Sequence, residues 1–142
     1  MIYADYEYYT NAYLGQIISE FDFPRLSLRA SAYLDYCTLG RASRNADLGA
    51  LKMACCALAE QYQMIETAQQ AANKSISAAL ETGGGEVQSE TVGSWSRSFR
   101  SGGDTAKTVL TAAQTGQASL SSVAAQYLTG TGLLYRGRCC HK

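Results

Sequence analysis

The single histidine is His141, beside the final Lys142. Imidazole is the usual proton shuttle near neutral pH, so histidine-based acid-base catalysis would have to run from the last residues of the chain. Cys139, Cys140 and His141 offer three soft ligands. Adjacent residues do not readily face one ion, however, and no partner ligands occur elsewhere at structural-zinc spacing, so no metal site is expected. Cys37 and Cys55 fall on apolar helix faces, where free cysteine behaves as a small hydrophobe and no base stands by to activate it. Gly83-Gly84-Gly85 and Gly102-Gly103 match neither GxxxxGK[ST] nor GxGxxG, so they read as hinges, and Lys107 reads as a solvated charge. Asp5, Glu7, Glu20, Asp22, Asp35 and Asp47 are scattered over caps and outer faces, with no two placed across one cleft. No catalytic set and no cofactor site is expected, and an enzyme is disfavoured.

Composition narrows the class further. Twelve basic and twelve acidic side chains cancel, and the pI is near 6.5. A dedicated binder of DNA or of an anionic membrane carries a strong positive field that this chain lacks. Five cysteines, two pairs of them adjacent, resemble no disulfide framework, which fits synthesis in a reducing compartment. The N-terminal MIYADYEYY is not a signal peptide and no stretch approaches a membrane span, so a cytosolic product is expected. At 142 residues the natural expectation is one compact body with appended arms.

With a single proline and abundant Ala, Leu, Gln and Ser, the chain favours helix. A short first helix is expected from Ala4 to Tyr13, with Tyr6, Tyr9 and Tyr13 on one face and Tyr3 and Tyr8 left as interface candidates. A second begins at Asp22-Phe23-Pro24, where a cap candidate precedes a proline in the first turn. Its apolar stripe is Phe23, Leu26, Ala30, Tyr33, Leu34 and Cys37, it leaves out Arg25, Arg29 and Asp35, and Gly40 is its stop. A long third helix runs from Asn45 or Ala46 to Leu80, on the order of 50 Å at helical rise. Its seam is Leu48, Leu51, Cys55, Leu58, Tyr62 and Ile65, weakening afterwards. Such a length predicts that part of it packs on a neighbour.

From Glu86 to Arg100 the pattern changes to period two. Folding about Gly93-Ser94 pairs Val92 with Trp95, Glu90 with Arg97 and Gln88 with Phe99, giving a hairpin with one aromatic face that must rest on something. Val92, Trp95 and Phe99 are the candidate intersubunit contact. A fourth helix starts at Asp104 or Thr105 and carries Val109, Leu110, Ala113, Leu120, Val123, Ala124, Tyr127 and Leu128, with Gly116 as a possible interruption. The expected class is mainly α: a small helical bundle of about four helices, one long, with an inserted β-hairpin at about 86–100 and an extended C-terminal arm. Residues 1–129 form the helical domain and 130–142 the flexible arm, in which Leu133, Leu134, Tyr135 and Arg136 form a sticky cluster.

The pieces in order are an FPRL helix start running into RASAYLDYCTLGRA, a long helix with ALKMACCALAEQYQ, the hairpin ETVGSWSRSF, a last helix and the tail YLTGTGLLYRG. Together they resemble the head-tail connector (adaptor) proteins of tailed phages and prophages. The resemblance implies a structural virion protein of the phage neck, made in the host cytoplasm. It implies self-association into a ring, typically of twelve subunits, that docks beneath the portal protein and above a tail-completion or stopper protein. DNA would pass through the lumen without specific binding, no membrane would be involved, and Leu133, Leu134, Tyr135 and Arg136 would be the portal-binding arm. The terminal CCHK departs from that pattern. The alternative is a small helical regulatory or DNA-binding protein, yet Arg25, Arg29, Arg41 and Arg44 are interrupted by apolar and acidic residues and lack a helix-turn-helix frame.

Overall fold

The computed structural model describes residues 1–81, 111 and 114–135. The expected hairpin at 86–100, the start of the fourth helix, and Arg136, Cys139, Cys140 and His141 lie outside the described residues. Within them the protein is mainly helical, with four α-helices, a 3₁₀ turn and no strand. The chain divides into two compact units, Met1–Gln63 with Ala118–Lys142, and Met64–Gln117.

In the first unit, α1 covers Tyr6–Asn11, shorter at both ends than the pattern predicts. Asp5 caps it by accepting the Tyr8 amide at 2.8 Å, and at the far end the chain unwinds through Leu14, held at φ 61°. That left-handed conformation carries a penalty of roughly 1–2 kcal/mol for a residue with a β-carbon, so the surroundings must enforce it. α2 covers Phe23–Thr38, with the proline in its first turn as expected. Of the predicted stripe, Phe23, Leu26, Ala30 and Leu34 are buried, and Tyr33 and Cys37 are half-buried. Three polar residues the stripe omitted, Ser27, Ser31 and Thr38, are buried as well. The left-handed residue that ends α2 is Leu39 at φ 55°, with Gly40 at φ 75° following, so the predicted glycine stop is shared with a leucine. Thr38 secures this end: its hydroxyl donates to the Leu34 carbonyl at 2.8 Å and accepts the Ala42 amide at 3.0 Å. That second bond leads the chain into the 3₁₀ turn Ala42–Asn45.

α3 covers Gly49–Glu81. It begins later than the pattern predicts because the 3₁₀ turn runs to Asn45 and residues 46–48 leave it through a further turn, and Leu48, the first predicted seam position, is exposed. Six consecutive residues, Ala54 to Ala59, are buried on every face, as a helix at the centre of its unit requires. In the second unit α3 keeps Ile65 buried, and from residue 69 to 78 it is almost entirely exposed. α4 covers residues 114–128 and runs through Gly116 without a break. Glycine is needed there for approach: a β-carbon on Gly116 would stand 2.8 Å from Ile65 Cγ1. Within the first unit α4 buries Leu120, Ala124 and Leu128.

Candidate functional site

One polar cluster of the first unit centres on Glu60 on α3. Its carboxylate accepts from the Tyr9 hydroxyl at 2.9 Å through one oxygen and from the Tyr13 hydroxyl at 3.1 Å through the other. Tyr9 is fully buried among Tyr6, Tyr13 and Phe23, the last with ring centroids 4.9 Å apart. Its hydroxyl also accepts the amides of Ile17 (3.0 Å) and Ile18 (3.2 Å), tying the loop between α1 and α2 to α3. Gly15 lies so close to this ring that a β-carbon would fall 2.1 Å from Tyr9 Cε2. Burial, reinforced by Glu60, raises the Tyr9 and Tyr13 hydroxyls above their ordinary value. These phenols stay protonated and act as donors.

A second polar cluster joins the N-terminal segment to α2 and α3. Ser27 donates to the Ala4 carbonyl at 2.7 Å, and Ser31 donates to the Ser27 carbonyl at 2.7 Å while accepting the Tyr3 amide at 3.1 Å. Both hydroxyl protons are thereby used, and the Cys55 thiol, 3.5 and 3.4 Å from the two Oγ atoms, donates to the Ser27 carbonyl at 3.7 Å. Tyr3, expected as an interface candidate, is instead only 4% exposed, because its hydroxyl reaches across to donate to Asp35. Burial raises the Tyr3 phenol and pushes the fully buried Cys56 thiol up to about 12, so neither supplies an anion near neutral pH. Among the described residues no buried side-chain nitrogen or oxygen lacks a partner, and no cluster of three or more metal-ligating side chains occurs. Two cations sit over rings: the Arg29 guanidinium 4.7 Å from the Tyr62 centroid and the Lys52 ammonium 5.8 Å from that of Tyr8.

One open cleft belongs to the first unit, about 440 Å³ in volume and lined by Ile2, Tyr3, Ala4, Asp5, Tyr8 and Lys52. Tyr8, the other tyrosine expected at an interface, is half-buried in its wall. Elsewhere the loop between α1 and α2 turns Leu14, Ile17 and Phe21 outward, a feature that sequence reasoning missed because the loop has no periodicity to read.

Of the residues expected to contact other chains, Val92, Trp95, Phe99 and Arg136 lie outside the described residues. The structure separates the other three. Leu133 is only 5% exposed, Leu134 half-buried and Tyr135 58% exposed. Residues 129–134 follow α4 in turns, with Thr131 donating to the Leu128 carbonyl at 2.7 Å and glycines of positive φ at 130 and 132. The segment from Gly130 is therefore seated on the fold through Leu133, and Tyr135 is the exposed member of the cluster. Among the described residues no helix is long and apolar enough to cross a membrane. No family model, curated protein or solved structure matches the chain.

Proposed function

We propose that the chain is a structural virion protein, the ring subunit of a tailed-phage head-tail connector that joins the portal to the tail or stopper around the DNA channel. The observation that carries this reading is how the side chains are used. Glu60, Tyr3, Tyr9, Tyr13, Ser27, Ser31 and Cys55 spend their hydrogen bonds on one another and on the backbone, while Leu14, Ile17 and Phe21 remain in water. Polar groups consumed by packing and apolar groups left outside suit a part that works by contact. The resemblance noted above supplies the setting, and in it the hairpin face of Val92, Trp95 and Phe99 joins neighbours. Tyr135 and Arg136 extend the tail toward the portal, with Leu133 as its anchor on the fold. Ring closure presents identical subunits to one another through unlike patches.

The test is assembly of particles from a genome with this reading frame deleted and the full-length chain restored in trans. Capsids and tails are expected to stay separate without the chain and to join with it, with the labelled chain imaged as a ring at the neck. Normal joining in its absence would end the proposal. A dimer of the purified chain that shifts one DNA sequence with strong salt dependence would favour the regulatory reading instead.

A further inference from the structure

Phe21 has 92% of its surface in water, yet its backbone is not free. It sits in a turn closed by Ser19, whose carbonyl accepts the amides of Asp22 (3.2 Å) and Phe23 (3.0 Å) and whose hydroxyl donates to the Asp22 carboxylate at 2.8 Å. Upstream, Ile17 and Ile18 hang from the Tyr9 hydroxyl, so the loop that also exposes Leu14 (72%) and Ile17 (57%) is anchored at both ends. A single exposed apolar side chain is ordinary, but three within eight residues on a pinned loop form a contact surface that needs little further ordering to bind.

The same unit carries a receptor of matching size and charge. A cavity of about 150 Å³ suffices to hold a benzene ring, and the cleft offers about 440 Å³ with Ile2, Tyr3 and Tyr8 in its walls. Lys52 at its edge has no carboxylate partner among the described residues, and Asp5 is occupied as the cap of α1. Phe21 is flanked by the acidic Glu20 and Asp22, of which Asp22 pairs with Arg25 at 3.5 Å and Glu20 has no cation partner among the described residues. Phe21 is not among the residues that line the cleft and its ring stands in water, so a subunit does not fill its own cleft with its own Phe21.

We propose that Phe21 of one copy of this chain inserts into the cleft lined by Ile2, Tyr8 and Lys52 on a second copy, with Glu20 of the first beside Lys52 of the second. Knob and hole are different patches, so each joined pair keeps one of each free. Such a contact closes into a ring or continues as a filament, and only its closure rests on the connector reading.

The experiment is sedimentation velocity of the full-length chain over a wide concentration range. Wild type is expected to self-associate, F21A to weaken this about tenfold or more, and the reversals E20K and K52E about threefold each. The double reversal E20K/K52E restores association, and E20K mixed with K52E associates where neither does well alone, because each variant's knob then meets the opposite charge in the other's hole. Phe21 makes no core contact, so F21A keeps its helical circular dichroism. Wild-type association in F21A, failure of the double reversal to recover, or a monomeric wild type throughout overturns the contact. If F21A still forms rings in neck particles, this contact falls and the connector reading stands. If wild type is absent from the neck but associates as described, the connector reading falls and the contact stands.

Discussion

Replacing Tyr9 with Phe keeps the ring in its pocket and removes one oxygen, so no cavity opens and the loss is of hydrogen bonds alone. Three bonds meet at that oxygen: a donation to Glu60 at 2.9 Å and acceptances from Ile17 at 3.0 Å and Ile18 at 3.2 Å. Ile18 is buried, so its amide is orphaned, which costs about 1–3 kcal/mol. Ile17 is exposed and its amide turns to water at little cost. Glu60 is half-buried and keeps Tyr13, so the lost donation is worth about 1 kcal/mol, below the usual range for a charged acceptor. The sum is about 3 kcal/mol for Y9F, against about 1–2 kcal/mol for Y13F, which loses a bond to the same carboxylate and its pairing with Tyr127 but orphans no buried amide. Urea unfolding followed by far-ultraviolet circular dichroism reads both as shifts of midpoint at unchanged slope. Hydrogen exchange should show the Ile18 amide losing its protection in Y9F alone. A Y9F variant within about 0.5 kcal/mol of wild type would refute the view that this hydroxyl fastens the loop.

Gly116→Ala gains helix propensity but drives a β-carbon to 2.8 Å from Ile65, so a net loss of about 1 kcal/mol is expected. Combining it with Ile65→Ala, which removes that γ-carbon, should cost less than the two changes summed in the same unfolding assay. Ser27→Ala leaves the Ala4 carbonyl without its donor and should cost about 1–3 kcal/mol, with limited proteolysis releasing the N-terminal residues first. Burial raises the phenols of Tyr3, Tyr9, Tyr13, Tyr33 and Tyr62 above 10 and the Cys56 thiol to about 12, so the folded state holds these protons more tightly than the unfolded chain. Their contribution to stability is therefore intact below about pH 9 and is lost as pH rises through the folded values. In an absorbance titration five of the ten tyrosines should ionise only as helicity collapses, and ionisation of all ten near pH 10 in a folded protein would contradict this.

The helices were legible where apolar spacing is regular. Phe23, Leu26, Ala30 and Leu34 on α2 and Leu51, Cys55, Leu58 and Ile65 on α3 take the places their periodicity assigns. The boundaries followed less well, because Thr38 and Leu39 end α2 through a buried hydroxyl and a left-handed leucine, features that propensity does not encode. Ser27 and Ser31 read as polar gaps in the stripe, yet each hydroxyl satisfies a backbone group of the N-terminal segment some two dozen residues away. Such pairing depends on tertiary placement and leaves no local signature. The Glu60 knot is hidden for the same reason, since Tyr9 and Tyr13 meet it across 51 and 47 residues of chain. Leu133 is the converse case: a glycine-flanked apolar cluster has no helical period to read, and the turns after α4 bury its first leucine.

The sealed stretch of α3 from Ala54 to Ala59 makes the chain its own stopwatch. Cys55 and Cys56 occur there with no path to solvent, so a thiol-reactive dye can modify them only while the surrounding helices are apart. Read against Cys37, which is half-buried, their labelling rates would separate local breathing from wholesale opening without any inserted probe.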